Sequence, residues 1–585
     1  MGAFQHEEKL RSLLPKVEWT KSQGLSYESV SIDSYQGAMR VPSSYDRPKS
    51  RSFTLGVRRL TVPGHNPSAH YIMLSGGPGS YPDVEIEAAQ RLLCLSDGHM
   101  AIYVVDHRGL GASGEIVGEN VTDSAMEQPG VLNRILKNAP FDVRDLILEN
   151  ASLDVSMLGL AIQNDPLFNA GNRLVLWGFS YGSQWANHTI QLTPMLFDAA
   201  VLGGVPKIKG TPSPITSLGL AENCAQDDFC RSKMGGNVLD TLERAARSIV
   251  EPNFNSCTRL FHDQFPMIGH TGERVALLSG MLGALLLEES AEFQQWRDFR
   301  SSQLVLPFIK ATYDCIDAQL YRDAVLRPMT PLITRLLDIQ SGKALRRNQF
   351  VNTVVRLDMD HGDFEAGPPE FKTDYKNLHP FEYRSMYYLF RWAHLEPFLK
   401  GRKLSKERPL ISPKTEVYVV ASRMDTVTPY LNAWDYFEAI KVPKKHWMLF
   451  ENRPHDGHEC DCTYMAITMA ASGNTAEFDW ESCIRNDNAF WKVDWTFSNL
   501  PDEKRMWDAV ADATNKQLVL KNVPIHQTKV FTGTIEAPLD PSDGISKSTM
   551  LLAAGFGIFA LIAAVIIIWR IGKAKRSRAE SPVQP

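Results

Sequence analysis

The sequence predicts an α/β protein: a mostly parallel sheet with helices on both faces. Three observations carry that expectation. Short apolar runs end in glycine-rich loops, helix-periodic segments lie between them, and one run ends in a Gly-x-Ser-x-Gly turn. Residues 71–74 run into Ser75-Gly76-Gly77-Pro78-Gly79, and residues 101–105 into Asp106-His107-Arg108-Gly109. Residues 174–177 run into Gly178-Phe179-Ser180-Tyr181-Gly182, and residues 199–202 into Gly203-Gly204. Apolar runs without polar alternation suit strands covered on both faces, the condition of a parallel sheet. Residues 84–95 and 153–164 have helical periodicity, and the alternation over 52–62 suggests strands of a hairpin.

The chain has 585 residues, 44% of them hydrophobic and 22% charged, with a formal net charge of -5. That length suits one elaborated catalytic domain with additions, and the absence of a basic excess argues against a nucleic-acid partner. Residues 1–50 read as an N-terminal extension with a helix around 7–14, and residues 51–209 as the first part of the sheet domain. Residues 210–408 are dominated by helical stretches at 238–250, 272–287, 324–338 and 383–399, which suggests a helical cap inserted into the sheet domain. The sheet resumes within 409–520, with strands at 416–421 and 447–450 and a closing helix over 502–518; residues 521–547 are a Pro/Asp/Ser/Thr-rich stalk.

Residues 548–571 read as a transmembrane helix and 572–585 as a basic tail. From Ser548 to Trp569 there is no charged residue. As a helix at about 1.5 Å per residue, this stretch reaches roughly 33 Å, against about 30 Å of hydrocarbon. Arg570, Lys573, Lys575, Arg576 and Arg578 follow it, whereas Asp540, Asp543 and Lys547 precede it. The positive-inside bias places the tail in the cytoplasm and the large body outside it. The N-terminal residues show no apolar leader, so the opposite orientation, a tail anchor with a cytosolic body, is the alternative. Of 8 cysteines, Cys224 and Cys230 flank a polar segment that suits a small disulfide loop. Asn120-Val-Thr and Asn150-Ala-Ser are glycan acceptors of an extracytoplasmic body, whereas Asn187-His-Thr falls on the helix behind the Gly-x-Ser-x-Gly turn and is expected to be buried. No Cys/His set has zinc-site spacing, and neither a metal nor another cofactor is expected.

A serine hydroxyl needs a histidine to take its proton, and the histidine needs a carboxylate to fix its tautomer. On a strand-to-helix nucleophile elbow the order along the chain is serine, acid, histidine. Ser180 occupies such an elbow. Asp425 follows the strand at 416–421 in a loop closed by Thr428 and Pro429. Two histidines, His455 and His458, follow the next strand; His458, preceded by the flexible Gly457, is the expected base. His188 belongs to the helix after the elbow and is expected to be a core or capping residue. The glycine-rich loop lets backbone amides approach a reacting carbonyl, so the N–H groups of Gly77 and Tyr181 are the expected oxyanion donors.

Together these motifs resemble the prolyl iminopeptidase/tripeptidyl aminopeptidase family of α/β-hydrolase serine peptidases. The similarity runs over about residues 50–485, interrupted by the cap. It implies an aminopeptidase acting on peptide N-termini with Ser180, Asp425 and His458 as its triad, and it gives Asp106 and Arg108 a bracing role. It also implies pairing of Cys224 with Cys230 and of Cys462 with Cys483. Ser75 stands where many members have His or Asn. No cap acid matches the family's ammonium-binding residues, though Asp358, Asp360 and Asp363 form an acidic cluster. The expected partners are peptides and, through the C-terminal helix, a lipid bilayer. A carboxylesterase or lipase with the same triad is the alternative among enzymes, and an adhesion protein the non-enzymatic one.

Overall fold

The computed structural model describes residues 3–117, 129–206, 218–265, 301–340, 351–355 and 405–511, apart from short stretches within them, and the strand at 534–536. Eleven strands form one sheet: β1 (Val17–Lys21), β2 (Leu25–Tyr27), β3 (Val30–Pro42), β4 (Ser52–Thr61), β5 (Ala69–Leu74), β6 (Met100–Val105), β7 (Arg173–Phe179), β8 (Ala199–Gly203), β9 (Glu416–Ser422), β10 (Lys444–Phe450) and β11 (Thr534–Glu536). Their spatial order is β1-β3-β4-β6-β5-β7-β8-β9-β10-β11, with β2 on β3. From β6 through β10 neighbouring strands are parallel; the flanking pairings are antiparallel. β5, β6, β8 and β9 are buried at every position, as apolar strands covered on both faces should be.

Side-chain alternation divides the strands between two layers. Leu174 and Leu176 of β7 join Ile72, Leu74, Ala200, Leu202, Val417 and Val419 in one apolar cluster. Val175 and Trp177 join Tyr71, Met73, Ala199, Val201, Tyr418 and Val420 in another. Helices Leu148–Gln163, Tyr181–Leu192 and Tyr430–Ala439 cover the first face; Val84–Leu95 and Asp461–Ser472 cover the second. This three-layer order, crossing over at β5–β7 with a Gly-x-Ser-x-Gly turn at the end of the central strand, is an α/β-hydrolase fold.

Between β8 and β9 the described chain is helical, at Leu218–Gln226, Asp228–Met234, Val238–Ile249, Ser256–Gln264, Ser301–Asp314 and Arg327–Gln340. These helices share an apolar cluster of their own, which Met424, Trp495 and Trp507 also join. Disulfides join Cys224 to Cys230, Cys257 to Cys315 and Cys462 to Cys483.

Several expectations meet a different structure. Residues 17–42, placed in an extension, form β1–β3 and widen the sheet, because β3 alternates buried and exposed positions and pairs with β4 along ten residues. The 52–62 alternation is one strand, β4, whose hairpin partner is β3. The described part of the closing helix is a short 3-10 turn, Arg505–Ala509, with Trp507 buried in the cap cluster. The helical stretches at 272–287 and 383–399 and the segments 548–571 and 572–585 lie outside the described residues. Among the described residues no helix is long and apolar enough to cross a membrane.

Candidate active site

β7 delivers Ser180 at φ 54° and ψ -123°, a left-handed backbone that L side chains disfavour. The turn is fixed from both sides: Ser180 N–H donates to Gly203 O at 2.8 Å, and Ser183 N–H donates to Ser180 O at 3.0 Å. The elbow glycines are dictated by space. A Cβ on Gly178 would collide with Gly182 O, and one on Gly182 with Leu74 O. Helix Tyr181–Leu192 starts at once, placing its positive end beside the serine.

The loop after β5 runs against this turn. A Cβ on Gly76 would stand 3.3 Å from Ser180 Cβ and 3.2 Å from Phe179 O. Gly77 follows at φ 114° and Gly79 at φ 90°, conformations that a residue with a side chain resists. Of the expected oxyanion donors, Gly77 is the residue after Gly76 on this loop and Tyr181 is the chain neighbour of Ser180. Ser75 Oγ is buried without a hydrogen-bond partner among the described residues.

Asp425 is 2% exposed, directly after β9. Its Oδ1 accepts the amides of Val427 and Thr428, each at 2.8 Å, and its Oδ2 accepts Thr428 Oγ1 at 2.6 Å. The imidazole that meets this carboxylate is His455's. Its Nδ1 lies 2.7 Å from Asp425 Oδ2, so Nδ1 carries the proton and Nε2 is the ring's basic nitrogen. His458, the expected base, lies outside the described residues; the histidine the structure places on the acid is His455.

β10 ends at Phe450, and five residues bring the chain to His455, whose ring packs 4.6 Å from Phe179, the residue before the serine. A Cβ on Gly204 would stand 3.3 Å from His455 Cε1, 2.9 Å from Phe179 Cε2 and 3.0 Å from Thr428 Oγ1. Glycine there, at φ 55°, leaves room for the ring.

The Asp106–Ser113 motif braces the site from behind. The Arg108 guanidinium is wholly buried and forks onto Asp154 with two bonds of 2.8 Å; Ser43 O, Asp145 O and Asn150 O take its other protons. Asp106 Oδ2 accepts the Ala112 amide at 2.8 Å, and burial pushes its carboxyl up to about 6. His107 Nδ1 donates to Arg108 O, which leaves Nε2 to accept from Tyr181 OH at 2.9 Å. Burial pushes this imidazole down to about 4.

Asn150 is buried, with its amide donating to Asp145 O, so that sequon is closed to glycosylation. Asn187 is buried as well, and so is His188. Asn120 and the Asp358, Asp360 and Asp363 cluster lie outside the described residues. Beside the acid loop, Arg423 donates to Glu222 at 2.9 Å and pairs with Glu451, while Tyr430 OH donates to Glu222 at 3.3 Å. The second oxygen of Glu222 is buried without a hydrogen-bond partner among the described residues. Sequence reading missed this cluster, because its members come from three distant stretches of chain. Among the described residues no three His, Cys, Asp or Glu side chains gather as a metal site would need.

No protein-family model and no curated protein matches the chain. Solved structures do. A peroxisomal α/β-hydrolase of Saccharomyces cerevisiae is similar at 11% identity over 81% of this chain and 97% of its own, with a TM-score of 0.32. Acetyl xylan esterase 1 of a Thermoanaerobacterium species is similar at 11% over 77% and 86%, with a TM-score of 0.29. A serine hydrolase of Cycloclasticus zankles is similar at 11% over 79% and 100%, with a TM-score of 0.31.

Proposed function

We propose that the protein is a serine hydrolase in which Ser180, His455 and Asp425 form the triad. The observation that carries the reading is the bond between His455 Nδ1 and Asp425, on a ring packed against the residue preceding the strained serine. Ser180 Oγ attacks the substrate carbonyl carbon while His455 Nε2 takes its proton. The amides of Gly77 and Tyr181 hold the oxyanion, one such donor being worth about 2.7–4 kcal/mol. His455 then gives the proton to the leaving group, and water repeats the sequence on the acyl-enzyme. Labelling by a fluorophosphonate tests this: the wild-type protein is expected to react and Ser180→Ala not to. An unreactive wild type supports the adhesion alternative instead.

The substrate reading is an aminopeptidase, supported by the resemblance of the Gly-Gly-Pro-Gly, Asp-x-Arg-Gly and elbow motifs to the prolyl iminopeptidase/tripeptidyl aminopeptidase family. Comparing aminoacyl arylamides with short acyl esters tests it; cleavage of esters alone assigns a carboxylesterase. The charge-free segment 548–571 is proposed as a membrane anchor with the body outside the cytoplasm, and three disulfides suit that oxidising side. Protease protection in sealed vesicles checks the orientation, and loss of a glycosidase shift in Asn120→Gln checks the glycan.

A further inference from the structure

Resting on the triad just proposed, we infer that Asp487 and Asn488 are positioning residues for His455. The histidine lies beyond β10, on a connection whose residues 451–453 are each tied down. Glu451 N–H donates to Asn488 Oδ1 at 2.9 Å, and Asn452 Nδ2 donates to Asn488 O at 2.9 Å. Arg453 clasps Asp487 in a two-pronged pair, Nε to Oδ2 at 2.9 Å and Nη2 to Oδ1 at 2.7 Å, with both side chains 9% exposed.

All four bonds end on the C-terminal part of one helix, Trp480–Phe490. That helix is joined by the Cys462–Cys483 disulfide to Asp461–Ser472, the helix into which the histidine loop runs. The loop is thus held at its start by hydrogen bonds and beyond its end by a covalent link, both through the same helix. Asn452 Oδ1 also accepts Asn223 Nδ2 from the cap at 2.8 Å, and Glu451 pairs with Arg423, two residues before Asp425. Three consecutive side chains therefore set the imidazole relative to its acid, the cap and the sheet. A buried two-pronged Arg–carboxylate pair fixes orientation as well as distance, which a base that must meet both an acid and a hydroxyl requires.

The test measures inactivation by a fluorophosphonate, separating the limiting rate constant from the concentration for half-maximal rate. Asp487→Asn and Asn488→Ala are each expected to lower the rate constant at least tenfold while changing the half-maximal concentration less than twofold. Asn488→Asp, which keeps the acceptor for Glu451 N–H, is expected to recover most of it. A loss of folded protein alone lowers the labelled fraction and leaves the rate constant unchanged. Wild-type rate constants in Asp487→Asn and Asn488→Ala overturn the inference. A wild type that fails to label overturns the triad reading itself. Should Asp487→Asn not fold, the Asn488 pair decides by the same criteria.

Discussion

The sheet from β5 to β10 and the helical insertion between β8 and β9 are stabilised by different means. In the sheet, strand pairing is continuous, four strands are buried throughout, and a fully buried ion pair, Arg108 with Asp154, sits behind Ser180. In the insertion the helices share a separate apolar cluster and hold two of the three disulfides, closing separations of 6 and 58 residues. The three groups of the proposed triad all belong to the sheet's loops. The sheet supplies the turns that carry Ser180, Asp425 and His455, while the insertion touches their loops through Glu222 and Asn223 alone of the bonds described above.

The sharpest way to break that division is at the triad. Ser180→Ala and His455→Gln are each expected to lower kcat/KM about 10⁴-fold or more, with little change in Tm. His458→Gln is expected to stay within about threefold; an inverted result for the two histidines returns the role to His458. The next largest effect lies behind the serine. Arg108→Met leaves Asp154 buried without its counter-charge and is expected to cost about 3–5 kcal/mol in denaturant unfolding.

In the insertion, the Cys257→Ser/Cys315→Ser pair removes a 58-residue closure and is expected to cost about 4 kcal/mol, against about 2 for Cys224→Ser/Cys230→Ser. Labelling of Ser180 well below the new midpoint is expected to persist, and its loss would show that the insertion acts on the triad.

A smaller effect is set by pH. Burial holds His70 and His107 down at about 4, so both stay neutral in the folded protein while an unfolded histidine titrates near 6.5. Their contribution is complete above pH 6.5 and lost as pH falls towards 4, up to about 3 kcal/mol each. Asp106, raised to about 6, acts oppositely: its contribution declines as pH rises from about 4 through 6. Unfolding midpoints of His107→Gln between pH 4 and 7 should show a shallower acid limb than the wild type.

Much of the sheet was legible because a strand buried on both faces writes itself as an uninterrupted apolar run; β5 to β10 all begin and end within three residues of where such runs do. β1 to β3 were not. They are antiparallel strands with one wet face, and Thr20, Ser31 and Gln36 look like a polar extension until their partners are known. The placement of Ser180 and Asp425 is legible in local chain geometry, since Ser180 follows β7 at once and Asp425 comes three residues after β9. The histidine lies in a loop whose shape depends on Phe179, Gly204, Asp487 and Asn488, contributed from far along the chain, and no local pattern separates His455 from His458.

The backbone of Ser180 carries a further implication. A serine at φ 54° and ψ -123° holds a shape in which glycine would rest more comfortably, at a conformational penalty of about 1–3 kcal/mol. Ser180→Gly should therefore yield an inert protein that is slightly harder to unfold, by about 1 kcal/mol once glycine's looser unfolded chain is counted. On this scaffold, reactivity and repose are opposed at a single residue.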